Sequence, residues 1–162
     1  MRKSVVLVLF LCLVLLVACS NGNEKSNQEE QSENTAINSG DLREETASIE
    51  VLPEFLDNKS EEIQNLYMYV AKNKELLEHI PCYCGCGESV GHKNNYDCFI
   101  YKNNEDHSLV WDDHATRCGV CLEIATQSIN DYNGGKSIKE IRILIDEKYR
   151  SGYAEPTSTP KV

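Results

Sequence analysis

Methionine is scarce in this chain. Two methionines in 162 residues cannot furnish the thioether-rich sites that some copper proteins use. Basic residues are short as well: 16 Lys and Arg face 26 Asp and Glu, for a formal net charge of -10. That balance offers no footprint for a phosphate backbone, so nucleic acid is not an expected partner. There is no internal repeat, which sets aside solenoids and arrays. The longest apolar run, Val5 to Val17, falls short of the roughly 20 residues that span a bilayer comfortably. Against these shortages stand eight cysteines.

The first residues account for two of them. Arg2 and Lys3 form a basic start, the apolar run follows, and the segment closes in Leu16-Val17-Ala18-Cys19. This pattern resembles a bacterial lipobox: residues 1–18 read as a signal peptide and Cys19 as the lipidated mature N-terminus, carrying palmitate-type chains. An uncleaved signal anchor is the alternative. The expected location is the extracytoplasmic face of a bacterial cell membrane, held there by lipid. Cys12 leaves with the peptide. Residues 19–50 are polar and acidic, too poor in apolar side chains to offset the entropy of ordering, and read as a disordered tether.

Residues 51–150 read as one small, mainly α-helical domain with an irregular Cys-rich loop, and residues 151–162 as a flexible tail. Ser60 followed by Glu61 and Glu62 marks a helix start, and Ile63, Leu66, Tyr67 and Val70 follow with helical spacing. Asn73 opens a shorter helix through Leu76, Leu77 and Ile80, which Pro81 stops. Residues 88–113 are irregular, with Asp97–Tyr101 either a strand-like piece or a helical turn. Asp112 or Asp113 can cap a helix that carries His114, Cys118, Cys121 and Ala125 on one face. Ser137-Ile138-Lys139-Glu140 is a capping box at the start of a final amphipathic helix.

The chemistry concentrates at Pro81-Cys82-Tyr83-Cys84-Gly85-Cys86-Gly87. In an extended segment the three alternate cysteines point to one side. Gly85 and Gly87 let the loop wrap tightly. Cys98 lies downstream, and Cys118 and Cys121 sit on the later helix. If those halves meet, six thiols converge, with His92 and His114 as nitrogen donors. Thiolates select soft or borderline ions, and closely spaced thiolates favour Cu(I) over Zn(II). Six sulfurs and two imidazoles exceed one tetrahedral site and suit two ions or a small cluster with bridging sulfurs.

Other readings compete. Exported proteins keep disulfides, so the six cysteines could form a stapled structural or interaction module. Cysteines two apart bridge poorly, so each would need a distant partner. Cys118-Gly119-Val120-Cys121 could exchange disulfides, but it lacks the strand–helix context of a thioredoxin-like unit. His79 and His107 read as solvated. No catalytic residue and no turnover is expected.

The heptapeptide at 81–87, with Gly91-His92, Asp97-Cys98-Phe99 and the segment Trp111 to Cys121, resembles the PCYCGC-motif family of exported bacterial lipoproteins. The resemblance runs from about Val51 to Tyr149. It implies an uncharacterised lipoprotein for which metal binding is plausible. The expectation is a membrane-anchored protein that captures, buffers or transfers Cu(I), with a metal-exchange partner in the cell envelope.

Overall fold

A computed structural model describes residues 40–162. The expected signal peptide, the expected lipidation site Cys19 and residues 20–39 of the expected tether lie outside the described residues. The architecture is mostly helical, with one three-stranded antiparallel sheet of order β1-β3-β2. β1 is Arg43–Thr46, β2 is Ile100–Asn103 and β3 is Leu109–Asp112.

β1 corrects the tether boundary: residues 43–46 are a strand in register with the centre of the sheet, Arg43 opposite Asp112 and Thr46 opposite Leu109. The segment has little apolar content, which is why composition hid it. It is held by long-range polar bonds instead. Trp111 Nε1 donates to Thr46 Oγ1 at 2.7 Å, Arg43 Nε donates to Asp112 Oδ2 at 2.8 Å, and Leu42 N donates to Asp113 Oδ1 at 2.8 Å. Residues 100–112, expected to be irregular, form the β2–β3 hairpin with a register shift between Ile100 and Lys102. The run around Cys98 is both alternatives at once: a 3₁₀ turn over Tyr96–Cys98 leads into β2.

The helices follow the sequence more closely. α1 is Glu61–Lys72, behind Ser60 and with Tyr67, Val70 and Ala71 buried. α2 is Lys74–Leu77 and buries Leu76 and Leu77. A four-residue α3, Gly87–Val90, follows the cysteine loop. α4 is Gly119–Asn133 and packs against α1 and α2. α5 is Ile138–Lys148; it packs on α4, and its Ser137/Glu140 capping box is formed in both directions. Tyr67 sits at the centre of the core, edge-on to Phe99, with its hydroxyl donating to the Asp112 carbonyl at 2.9 Å.

The tail is a second correction. Residues 153–157 run alongside the cysteine loop rather than fraying. Ala154 N donates to Tyr83 O at 3.2 Å and Thr157 N to Cys82 O at 3.1 Å, while Cys82 N donates to Thr157 Oγ1 at 2.9 Å. Tyr153 rests edge-on against Tyr149, which stacks with Tyr83. The loop's outer backbone groups thus find partners that no local pattern announces.

Candidate metal centre

The cysteine loop leaves α2 at Pro81 and doubles back at Gly85, whose φ of +79° suits a residue without a Cβ. This turn carries Cys82 inward, where it is 1 % exposed, and sets Cys84 beside it with sulfurs 3.0 Å apart. Opposite stands the entry to α4. The single helix expected through His114 and Cys118 is broken. A 3₁₀ turn covers His114–Arg117, and Cys118 is extended (φ -123°, ψ 98°) as the N-cap of α4. The Asp112 carboxylate caps the turn by accepting from His114 N at 3.0 Å. The break matters: it brings His114 over the first turn of α4, where Cys118 and Cys121 lie at a helix N-terminus that favours negative charge.

Two ligand groups result. Cys84, His114, Cys118 and Cys121 each offer a donor atom, all within 4.8 Å of one another. Cys82, Cys98 and Cys121 form the second group by the same measure. Cys121 Sγ belongs to both. It lies 3.2 Å from Cys118, 3.4 Å from Cys98 and 3.6 Å from Cys82, and Cys98 is 3.8 Å from Cys82. All six domain cysteines are free. The separations are far from the roughly 2.05 Å of a disulfide. Two sulfurs bound to one ion at about 2.3 Å and the tetrahedral angle stand about 3.8 Å apart, so the Cys82/Cys98/Cys121 triangle is close to the spacing of a shared ion.

The protonation pattern follows from the crowding. Hydrogen bonds from Cys118 and Cys121 hold the Cys84 thiol down to about 4. Those from Cys121 and Cys82 hold Cys98 at about 7, despite its burial. Cys121, encircled by Cys118, Cys82, Cys84 and Cys98, is pushed well above the thiol range and keeps its proton longest. The sulfurs of Cys118 and Cys84, with Asp41 behind the ring, lift His114 to about 11. The site therefore pairs an imidazolium with thiolate, and a cation bound there would take over the role of those protons.

Asp41 is the residue that sequence reasoning missed. Its Oδ1 lies 3.2 Å from His114 Nδ1, which leaves Nε2 buried and without a hydrogen-bond partner. A carboxylate behind a ligating imidazole fixes its tautomer and orientation. Arg117 in turn holds Asp41 and Asp113. Nothing in the acidic segment around Asp41 singled it out.

The remaining predicted ligands lie elsewhere. His92 is buried, 3.7 Å from Asp112 Oδ2 and edge-on to His114 with ring centroids 4.8 Å apart. It joins Asp41 and Asp112 in a third, sulfur-free group. Those carboxylates already face Arg43 and Arg117, which balance their charge. Cys86 belongs to neither sulfur group. Its backbone N–H donates to Cys84 Sγ at 3.4 Å, and its own Sγ turns to the Cys84 carbonyl at 3.9 Å. His79 bonds the Glu75 carbonyl and His107 sits in an exposed turn at φ +74°.

The sequence profile of proteins of unknown function with a PCYCGC motif matches residues 7–162. The chain belongs to the PCYCGC family. The match spans the whole described region, with β1 and the tail inside it. No curated protein and no solved structure matches the chain. In this member the PCYCGC cysteines divide, two into the buried centre and one at its margin.

Proposed function

We propose that this protein carries Cu(I) in a two-ion thiolate centre on the extracytoplasmic face of the membrane, anchored by lipid at Cys19. It captures or buffers the ion and passes it to another envelope protein, without chemical turnover. The observation that carries this reading is Cys121, one sulfur shared by two ligand groups. A bridging thiolate lets five cysteines and one histidine serve two ions.

The donor chemistry supports the metal. The Cys82/Cys98/Cys121 group is all sulfur and only three-fold, which suits a soft, low-coordinate ion. The Cys84/His114/Cys118/Cys121 group has the composition of a closed zinc site, so Zn(II) is the competing occupant there. The lipid anchor and the recipient protein rest on the signal-like start of the chain.

Metal analysis with thiol counting under denaturing conditions tests the reading. Two Cu(I) per chain and alkylatable thiols are expected. Cys98→Ser and Cys118→Ser each lose one equivalent, and Cys121→Ser loses both. Three disulfides and no metal would overturn the proposal in favour of a stapled scaffold. Two independent losses, with Cys121→Ser no worse than its neighbours, would remove the bridge.

A further inference from the structure

Of the six domain cysteines, Cys86 alone stands outside both ligand groups. It is half-buried, whereas Cys82, Cys98 and Cys121 are at most 1 % exposed. An open cavity of about 750 Å³ leads from solvent to the centre, and Cys86 lines it together with Cys84, Cys118 and His114. Tyr83 and Tyr153 flank the same opening. The buried, unpartnered Nε2 of His114, a residue only 8 % exposed, independently marks the cavity floor as a place for a ligand.

We propose that Cys86 is the transfer ligand of the centre: it takes Cu(I) from a thiolate-held donor in the cavity and hands it to Cys84, Cys118 and His114. This rests on the copper reading above. The step is a ligand exchange in which no electron moves. The Cys86 sulfur bonds the ion and its thiol proton passes to the donor sulfur, whose bond to the ion breaks. The ion then bonds to Cys84, to Cys118 and to the His114 Nε2, which gives up its imidazolium proton; the Cys86–copper bond breaks, that proton passes to the Cys86 sulfur, and any thiol proton displaced from Cys118 leaves through the open cavity to solvent. Each new bond forms before an old one is lost, so the ion is never without thiolate ligands. The sequence supports the division of labour: Cys86 follows Cys84 by two residues, with Gly85 between, so a short swing about a permissive backbone joins margin to centre.

The test compares the wild-type protein with Cys86→Ser, loaded from two probes: Cu(I)–glutathione and Cu(I) on a synthetic Cys-x-x-Cys peptide. Equal final copper content is expected, with loading of Cys86→Ser at least about 10-fold slower, an order-of-magnitude effect for removing one associative step. Slowing with the peptide alone marks a protein donor; slowing with both marks any thiolate. In the fully loaded wild type, iodoacetamide should label Cys86 and spare the other five. Equal loading rates overturn the proposal. Loss of one copper equivalent in Cys86→Ser, or protection of Cys86 in the loaded protein, also overturns it by making Cys86 a resident ligand. A wild-type protein that binds no copper fails at the earlier step and brings down both readings, a result distinct from equal rates in a protein that loads.

Discussion

At the scale of single residues, the proposed metal centre depends on groups that would not touch the ion. Asp41 holds His114 by Nδ1, leaving one nitrogen for the sulfur side. Replacing such a carboxylate costs roughly 10–100-fold in metal affinity. Asp41→Asn should therefore weaken the ion held by Cys84, His114, Cys118 and Cys121 by about that factor, and leave the Cys82/Cys98/Cys121 ion unchanged; chelator competition resolves the two. Proton linkage gives a second prediction. Cys84 drops from an ordinary 9.0 to about 4 on folding, so its stabilisation is complete above pH 9 and lost as pH falls toward 4. His114 rises from 6.5 to about 11, so its stabilisation is complete below pH 6.5 and lost as pH climbs toward 11. Between 6.5 and 9.0 the two slopes oppose each other. Cys98, held at about 7, adds a second rising slope between 7 and 9.0, so the melting temperature of the reduced, metal-free protein should climb with pH below 6.5, level between 6.5 and 7, climb again to about 9 and fall beyond it. In His114→Gln the climb up to about pH 9 should steepen, and the alkaline fall should keep only the part that Cys121 and the raised tyrosines contribute. The cysteines and His114 were legible because thiol spacing is a local signal. Asp41 was not, since its partner lies 73 positions away and one acid among many carries no mark.

At the scale of elements, close packing around the motif explains its second glycine. A Cβ on Gly87 would stand 2.5 Å from Thr157 Cγ2 and 3.0 Å from the His92 carbonyl oxygen. The tail therefore lies where only glycine leaves room. Overpacking of this kind costs about 1–3 kcal/mol. Gly87→Ala should lower stability by that order in denaturant unfolding, and pairing it with Thr157→Ser should recover part of the loss, because the clashing methyl is gone. A purely local role for Gly87 in α3 would leave the double variant as unstable as the single. The helices were readable from periodicity and caps, as the Ser137/Glu140 box shows. The break at Cys118 was not, because His114, Cys118, Cys121 and Ala125 fit a continuous helix equally well. What interrupts it is the pull of Asp112 and Asp113, both fixed by β1. Strand β1 and the docked tail were hidden for the same reason: their partners are distant, and polar sequences carry no periodic record of pairing.

At the scale of the whole molecule, the centre lies between two parts of the chain that also share one core, the loop region after α2 and the start of α4. Cys82, Cys84 and Cys98 come from the loop region after α2, and Cys118 and Cys121 from the start of α4. Asp41, some seventy residues earlier in sequence, buttresses the second part through His114 and Arg117. An ion bound by both parts stabilises the folded state by mass action, about 2.7 kcal/mol at a free concentration of 100 Kd. For a domain of this size that corresponds to a melting-temperature rise on the order of 10 °C. The six domain thiols could instead staple these parts by disulfides, and the two chemistries respond oppositely to reagents. With metal as the staple, a Cu(I) chelator should lower the melting temperature of the loaded protein by that amount, while a non-chelating phosphine reductant should leave it unchanged. With disulfides as the staple, the phosphine should lower it and the chelator should do nothing. Cys121→Ser sharpens the comparison. It sits in both ligand groups, so its loss should abolish the copper-dependent rise altogether, whereas Cys98→Ser should keep the part contributed by the Cys84/His114/Cys118 side. A full copper-dependent rise in Cys121→Ser would mean that the parts are joined through some other ligand set.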